Sequence, residues 1–156
     1  PLSIPLPFSP VPISLTNLVI FISVFILGMK DATISFLIYL LLGAVGLPVF
    51  ASFHAGLSVL AGPTGGYLIG FIFLALIQGF AMKYFDRKLI PTIIGMLIGM
   101  AVCYIFGTVW LAKLMSLSFK EGLFMGVIPY LPGDAVKIII AVIVGPKLYA
   151  ATKKVR

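Results

Sequence analysis

Asp134 and Lys137 stand three residues apart at the head of an otherwise apolar run, Ala135-Val136-Lys137-Ile138-Ile139-Ile140-Ala141-Val142-Ile143-Val144. On a helix that spacing puts both on one face. Ionisable groups inside a membrane cost several kcal/mol unless paired, and they mark a functional site by default. A carboxylate beside an ammonium suits a ligand that carries N–H donors and an anionic group. The plainer reading makes Asp134 a helix cap and Lys137 a snorkelling side chain, but a cap does not require a lysine within the span.

Little else could do chemistry. The other carboxylates are Asp31, Asp86 and Glu121, and His54 is the one imidazole. There is no His-Glu-x-x-His, no paired cysteine, no Gly-x-Ser-x-Gly elbow and no phosphate-cradling Gly-x4-Gly-Lys-Ser/Thr loop. Asp31 and Asp86 sit beside basic residues at span ends, where helix-end electrostatics accounts for them. Cys103, alone in an apolar run, is a packing residue. A membrane-embedded enzyme acting on a lipid or small molecule, with Asp134 and His54 as acid and base, is the competing reading. It lacks a second intramembrane carboxylate or a metal cluster. A stand-alone channel would need a continuous polar path, and only one end of this chain is polar.

The elements that must position the pair belong to a membrane protein. Of 156 residues, 62% are hydrophobic and 10% charged, and the mean hydropathy is +1.24; soluble domains average about 25% charged residues. The net charge of +7 is not that of a nucleic-acid binder, because the lysines and arginines punctuate apolar spans instead of clustering on one face. The composition predicts an all-α integral membrane protein, a single transmembrane domain over 1–156.

Five of the 11 prolines fall within residues 1–12, which predicts an extended, polyproline-like loop. Ser14 or Thr16 caps a first helix to about Gly28. A tight junction at Met29-Lys30-Asp31 leads to a second helix from about 32 to 45 or 47. Further spans are expected at about 66–82 and 90–112, then a short amphipathic connector, 114–120. A proline-interrupted apolar segment over 121–131 follows, and a last span from Asp134 to Gly145 or beyond. Between the second and third spans, 47–67 is apolar yet broken by Pro48, Pro63 and clustered glycines. Irregular backbone at membrane depth is tolerated only against protein or around a cavity, so this stretch is read as lid and wall of a binding site. Ser52, Phe53, His54, Thr64, Gly65, Gly66, Tyr67 and the aromatic Phe50 are its candidate ligand contacts, with Trp110 a further aromatic candidate for its wall.

Positive residues favour the cytoplasmic side. With the C-terminus inside, Lys30, Lys83, Arg87, Lys88, Lys147, Lys153, Lys154 and Arg156 lie inside and Lys113 and Lys120 outside, eight against two. Five spans then place Pro1 outside, which predicts one upstream span absent from this sequence and a six-helix native bundle. Small residues recur every fourth position, at Gly66 and Gly70, Ala75 and Gly79, Gly95, Gly99, Cys103 and Gly107, and Gly122 and Gly126. This spacing is assigned to helix packing within the bundle.

Four separated motifs together resemble the BioY family, the biotin-specific substrate-binding (S) components of energy-coupling factor transporters. They are Ile4-Pro5-Leu6-Pro7-Phe8 with Pro10-Val11-Pro12-Ile13, Gly46-Leu47-Pro48-Val49-Phe50-Ala51, Gly62-Pro63-Thr64-Gly65-Gly66-Tyr67, and Pro132-Gly133-Asp134-Ala135-Val136-Lys137. Ser14-Leu15-Thr16-Asn17 stands where members often show Thr-Leu-Gln-Thr, and Ser52-Phe53-His54-Ala55 where they are commonly richer in glycine. The resemblance implies a six-helix bundle that binds biotin as transported ligand near the outer face, with no cofactor and no enzymatic activity of its own. It implies partnership with a membrane coupling protein (the T component) and two cytoplasmic ATPases, and docking through small residues of a first helix. Carried onto this chain, it makes Asp134 the acceptor for ureido N–H groups and places Lys137 toward the valerate carboxylate.

Overall fold

The computed structural model describes residues 3–154; Pro1 and Arg156 lie outside the described residues. The proline-rich start is extended, as expected, but it is also paired. Ser3–Leu6 (β1) and Ser9–Ser14 (β2) form an antiparallel ribbon with Ile4 opposite Ile13 and an irregularity between Ile4 and Leu6. Pro10 and Pro12 lie between the paired residues Ser9 and Ile13, opposite that irregularity, where the ladder does not call on their missing N–H groups.

The chain then enters Thr16–Ala44 (α1), which is broken at Gly28, where φ is +83° and ψ 179°. Glycine takes this conformation without a Cβ penalty. The arms 16–27 and 29–44 fold back on each other, so that Thr16 and Tyr39, Ile20 and Phe36, and Ser23 and Ala32 line one groove. The sequence-predicted junction is therefore a reversal about a single glycine, and the helix resumes at Met29. The expected cap is absent. Leu15 is the N-cap and no side chain caps α1; the Ser14 hydroxyl donates instead to Thr16 Oγ1 at 3.1 Å.

The broken stretch contains a short 3-10 turn at Ala51–Phe53 and the five-residue helix Leu57–Ala61 (α2). Gly65–Tyr84 (α3) and Leu89–Met115 (α4) follow as long apolar helices. Phe119–Gly126 (α5) opens on a capping box in which Ser118 and Glu121 satisfy each other's backbone N–H groups. A 3-10 turn at Ile128–Tyr130 leads into Leu131–Lys153 (α6), which begins three residues before Asp134 and runs through Pro146.

Lipid offers no hydrophobic drive for one helix to join another, so close packing must hold the bundle. The small residues supply it from within. A Cβ on Gly66 would lie 3.2 Å from the Gly107 Cα, and one on Gly70 2.9 Å from the Cys103 Cα, so α3 and α4 meet almost backbone to backbone. Ile94, Leu97, Ile98 and Ile105 on the other side of α4 are exposed, as a lipid-facing surface would be. Across the middle, Phe21, Val24, Leu74 and Met96 are fully buried.

One end of the bundle is basic. Arg87, in the turn between α3 and α4, donates from Nη1 to the Phe25 carbonyl at 2.7 Å, and its guanidinium lies 3.8 Å from the centroid of the Tyr149 ring. The α1 reversal, this turn and the end of α6 therefore meet, and they bring Lys30, Lys83, Lys88 and Lys153 to the same end. The relative placement matches the alternation of charge along the sequence.

Candidate ligand-binding site

At the opposite end lies a cavity of about 390 Å³, within the ~300–1,000 Å³ usual for small-molecule sites. The ribbon roofs it with Pro5, Pro10 and Pro12. It is fastened there by the Tyr130 hydroxyl, which donates to the Val11 carbonyl and lies 2.8 Å from Ser9 Oγ. Phe50, Tyr39, Leu68, Phe71 and Met100 provide apolar wall. Phe50 is seated over Gly43, where a Cβ would come within 2.1 Å of its ring, and it meets Tyr39 edge-on at 5.6 Å. The Tyr39 hydroxyl donates to the Val49 carbonyl at 3.0 Å, tying α1 to the broken stretch.

The polar wall is centred on Asp134, which is 7% exposed. Its Oδ1 accepts from Lys137 Nζ at 2.8 Å and from Asn17 Nδ2 at 2.7 Å, and its Oδ2 accepts from the Tyr104 hydroxyl. Lys137 also donates to the Ser14 carbonyl at 2.6 Å. A buried ion pair is tolerable only when further hydrogen bonds offset its desolvation, and here they come from α1, α4 and the end of β2. Asp134 lies in the first turn of α6 without capping it. Lys137 does not snorkel, since its ammonium is held between Asp134 and Ser14. The pair is thus a built feature of the cavity wall.

Of the residues singled out from the sequence, Asp134, Lys137, Tyr67, Thr64, Phe50, Ser52 and His54 line the cavity. Gly65, Gly66 and Phe53 do not. Gly65 and Gly66 let α3 pack closely, under the Leu60 carbonyl and against the Trp110 side chain respectively. Phe53 is turned outward and 62% exposed, because Ser52 and Phe53 both take left-handed backbone, φ +57° and +59°. Trp110 stands behind the wall, donating from Nε1 to the Gly62 carbonyl at 2.9 Å. His54 is engaged with its own loop, Nδ1 to the Ala51 carbonyl at 3.0 Å, so the acid–base pair with Asp134 is not assembled. Tyr67 has its hydroxyl buried and unpartnered among the described residues, in space left by Gly107 and Gly126.

Sequence reasoning passed over Asn17 and Tyr104. Asn17 had a signal, as the only asparagine of the chain at the head of an apolar span. Tyr104 adjoins the small-residue face of α4 and carries no comparable mark.

Apolar helices surrounding a roofed cavity, with a buried ion pair in its wall, define a membrane-embedded, small-molecule-binding protein. The model of the BioY family matches residues 1–154, and the chain belongs to that family. It is 36% identical over 146 residues to a probable biotin transporter BioY of Pyrococcus horikoshii, covering 92% of this chain and 83% of that protein. It is 34% identical over 145 residues to the biotin transporter BioY of Thermotoga maritima, covering 93% and 85%. Among solved structures it is similar to the S-component for biotin from an ECF-type ABC transporter, with a TM-score of 0.86, 31% identity, and 94% of this chain and 79% of that one covered. The helical membrane fold is thus that of an S component, and the relatives are transporters, not enzymes.

Proposed function

We propose that this chain is the substrate-binding component of an energy-coupling factor uptake transporter and that it holds biotin in the cavity under the ribbon. The observation that carries this reading is the state of the buried pair. Two donors fill Asp134 Oδ1 and one occupies Oδ2, while Lys137 directs two of its three protons to Asp134 and Ser14. One carboxylate lone pair and one ammonium proton remain. An acceptor and a donor side by side complement the adjacent N–H and C=O of a cyclic urea. Both residues therefore address the ureido ring, in place of the division between the two ends of biotin that the resemblance implied.

The valerate tail then points toward Thr64 and the start of α3. Thr64 makes no side-chain cap, and the first turn of a helix offers unpaired N–H groups and a positive dipole end to a carboxylate. Phe50 and Tyr39 face the rings, Tyr67 adds its ring to the wall with its hydroxyl turned into the niche at Gly107 and Gly126, and Ser52 and His54 stand at the rim. Gly65 and Gly66 act by letting the backbone approach. The cavity opens to the outer side and the basic end faces the cytoplasm, as the distribution of lysine and arginine favours. The likeness to the S-component of an ECF-type ABC transporter implies that transport depends on a membrane coupling protein and a pair of ATPases, which fits a sequence with no nucleotide-binding loop. The apolar core beneath the cavity, including Leu74 and Met96, argues against a stand-alone channel.

Titration of the purified protein with biotin tests the reading. Tight binding is expected, with Asp134→Asn and Lys137→Ala each weakening it by roughly 100-fold or more, as expected for a charge-assisted contact. Absence of binding, or unchanged affinity in both variants, overturns it.

A further inference from the structure

Asp134 and Lys137 share α6, but two of the three donors to the Asp134 carboxylate come from other helices. Asn17 Nδ2 reaches it from α1 at 2.7 Å and the Tyr104 hydroxyl from α4. Asn17 is 3% exposed, and its amide has one workable orientation. Its Oδ1 accepts from the Leu18 N–H at 3.1 Å, so turning the amide over would lose that bond and set oxygen against oxygen. The Tyr104 hydroxyl touches Oδ2, the oxygen that carries the remaining acceptor site. Between them the two residues hold the carboxylate at both oxygens. Lys137, three residues along the same helix, cannot do this, because it meets Oδ1 alone.

We propose that Asn17 and Tyr104 are positioning residues for ligand recognition: they fix the plane of the Asp134 carboxylate so that the free lone pair of Oδ2 faces the cavity, which makes the ureido subsite a joint product of α1, α4 and α6. This rests on the reading of the cavity as a biotin site. A carboxylate free to rotate would present its acceptor over a range of directions and lose the preorganisation that makes a buried hydrogen bond to a ligand favourable.

The test is a titration of purified variants with biotin and with desthiobiotin, which keeps the cyclic urea and the tail but lacks the thioether. Tyr104→Phe removes one oxygen and is expected to weaken both ligands by the same factor, roughly 10-fold. Asn17→Leu keeps the approximate volume without a donor and is expected to act similarly. Asn17→Asp keeps the shape but sets an acceptor and a like charge against Asp134, and a loss greater than that of Asn17→Leu is expected. A residue that merely fills space would give the reverse order, with Asn17→Asp the milder change. That order, or a Tyr104→Phe variant that binds biotin within about twofold of the parent, overturns the proposal while the parent's binding leaves the functional reading standing. If Asn17→Asp does not fold, the near-isosteric Tyr104→Phe decides. A parent protein that fails to bind biotin overturns the functional reading, and the proposal falls with it.

Discussion

The two ends of this bundle are built on opposite plans. At the cavity end the backbone is irregular, and side-chain hydrogen bonds between distant segments hold it: Lys137 to Ser14, Asn17 to Asp134, Tyr130 to Val11, Tyr39 to Val49. At the basic end the long helices are joined by tight reversals, at Gly28 and at Asp86 and Arg87, where φ is positive, and a single arginine joins the α1 reversal to the end of α6. The cavity end concentrates a buried ion pair and the hydrogen bonds that hold it, which makes its geometry specific and its disruption costly. The buried polar side chains nearer the basic end, Thr33, Gln78 and Thr92, are uncharged and donate to backbone carbonyls, so a change there should be felt in stability and not in recognition.

Gly107→Val should break that contrast hardest. A Cβ at Gly107 already falls 2.2 Å from the Tyr67 ring, and overpacking of this kind costs on the order of 1–3 kcal/mol. Thermal unfolding should show that loss, and biotin affinity should fall by more than tenfold as Tyr67 is displaced. An unchanged affinity would mean that Tyr67 is not part of the wall that matters. Arg87→Ala acts at the other end. Loss of the Phe25 hydrogen bond and the stack on Tyr149 should lower stability by about 1–2 kcal/mol while biotin affinity stays within about threefold. If affinity drops as far as stability, the two ends are not independent. Ser52→Ala is the mildest case. It removes an exposed hydroxyl contact to Ser3 at 2.9 Å, and a surface change of this sort is worth less than about 0.5 kcal/mol; unfolding should be nearly unmoved, and a fall in biotin affinity beyond a few-fold would make the Ser52 hydroxyl at the rim a ligand contact.

The regular half of this molecule was legible in the sequence, and the irregular half only in part. Apolar length, the break near Gly28 and the alternation of lysine and arginine are local signals, and each has a counterpart in the fold. Asp134 and Lys137 were legible because a spacing of three residues is itself local. Their partners were not: Asn17 lies 117 residues from Asp134 and Tyr104 lies 30, and no periodicity encodes a meeting across three helices. The ribbon was hidden for a different reason. Prolines argue against a ladder in general, and only the pairing register shows that Pro10 and Pro12 fall in its irregular part, between the paired residues Ser9 and Ile13. Phe53 misled because an aromatic ring in an apolar stretch reads as wall, whereas left-handed backbone at Ser52 and Phe53 sends it outward.

The reversal at Gly28 also gives the cavity a lever. Asn17 lies 11 residues before that glycine and Tyr39 lies 11 after it, so each arm is about 16 Å long at a rise of 1.5 Å per residue. In this tweezer-like arrangement a turn of about 10° at the pivot displaces an arm's tip by roughly 3 Å, the width of one hydrogen bond. Arg87 grips the Phe25 carbonyl beside that pivot, but the jaws are also latched at their tips, Asn17 to Asp134 and Tyr39 to Val49, so their spacing is held at the cavity even when the pivot is loosened.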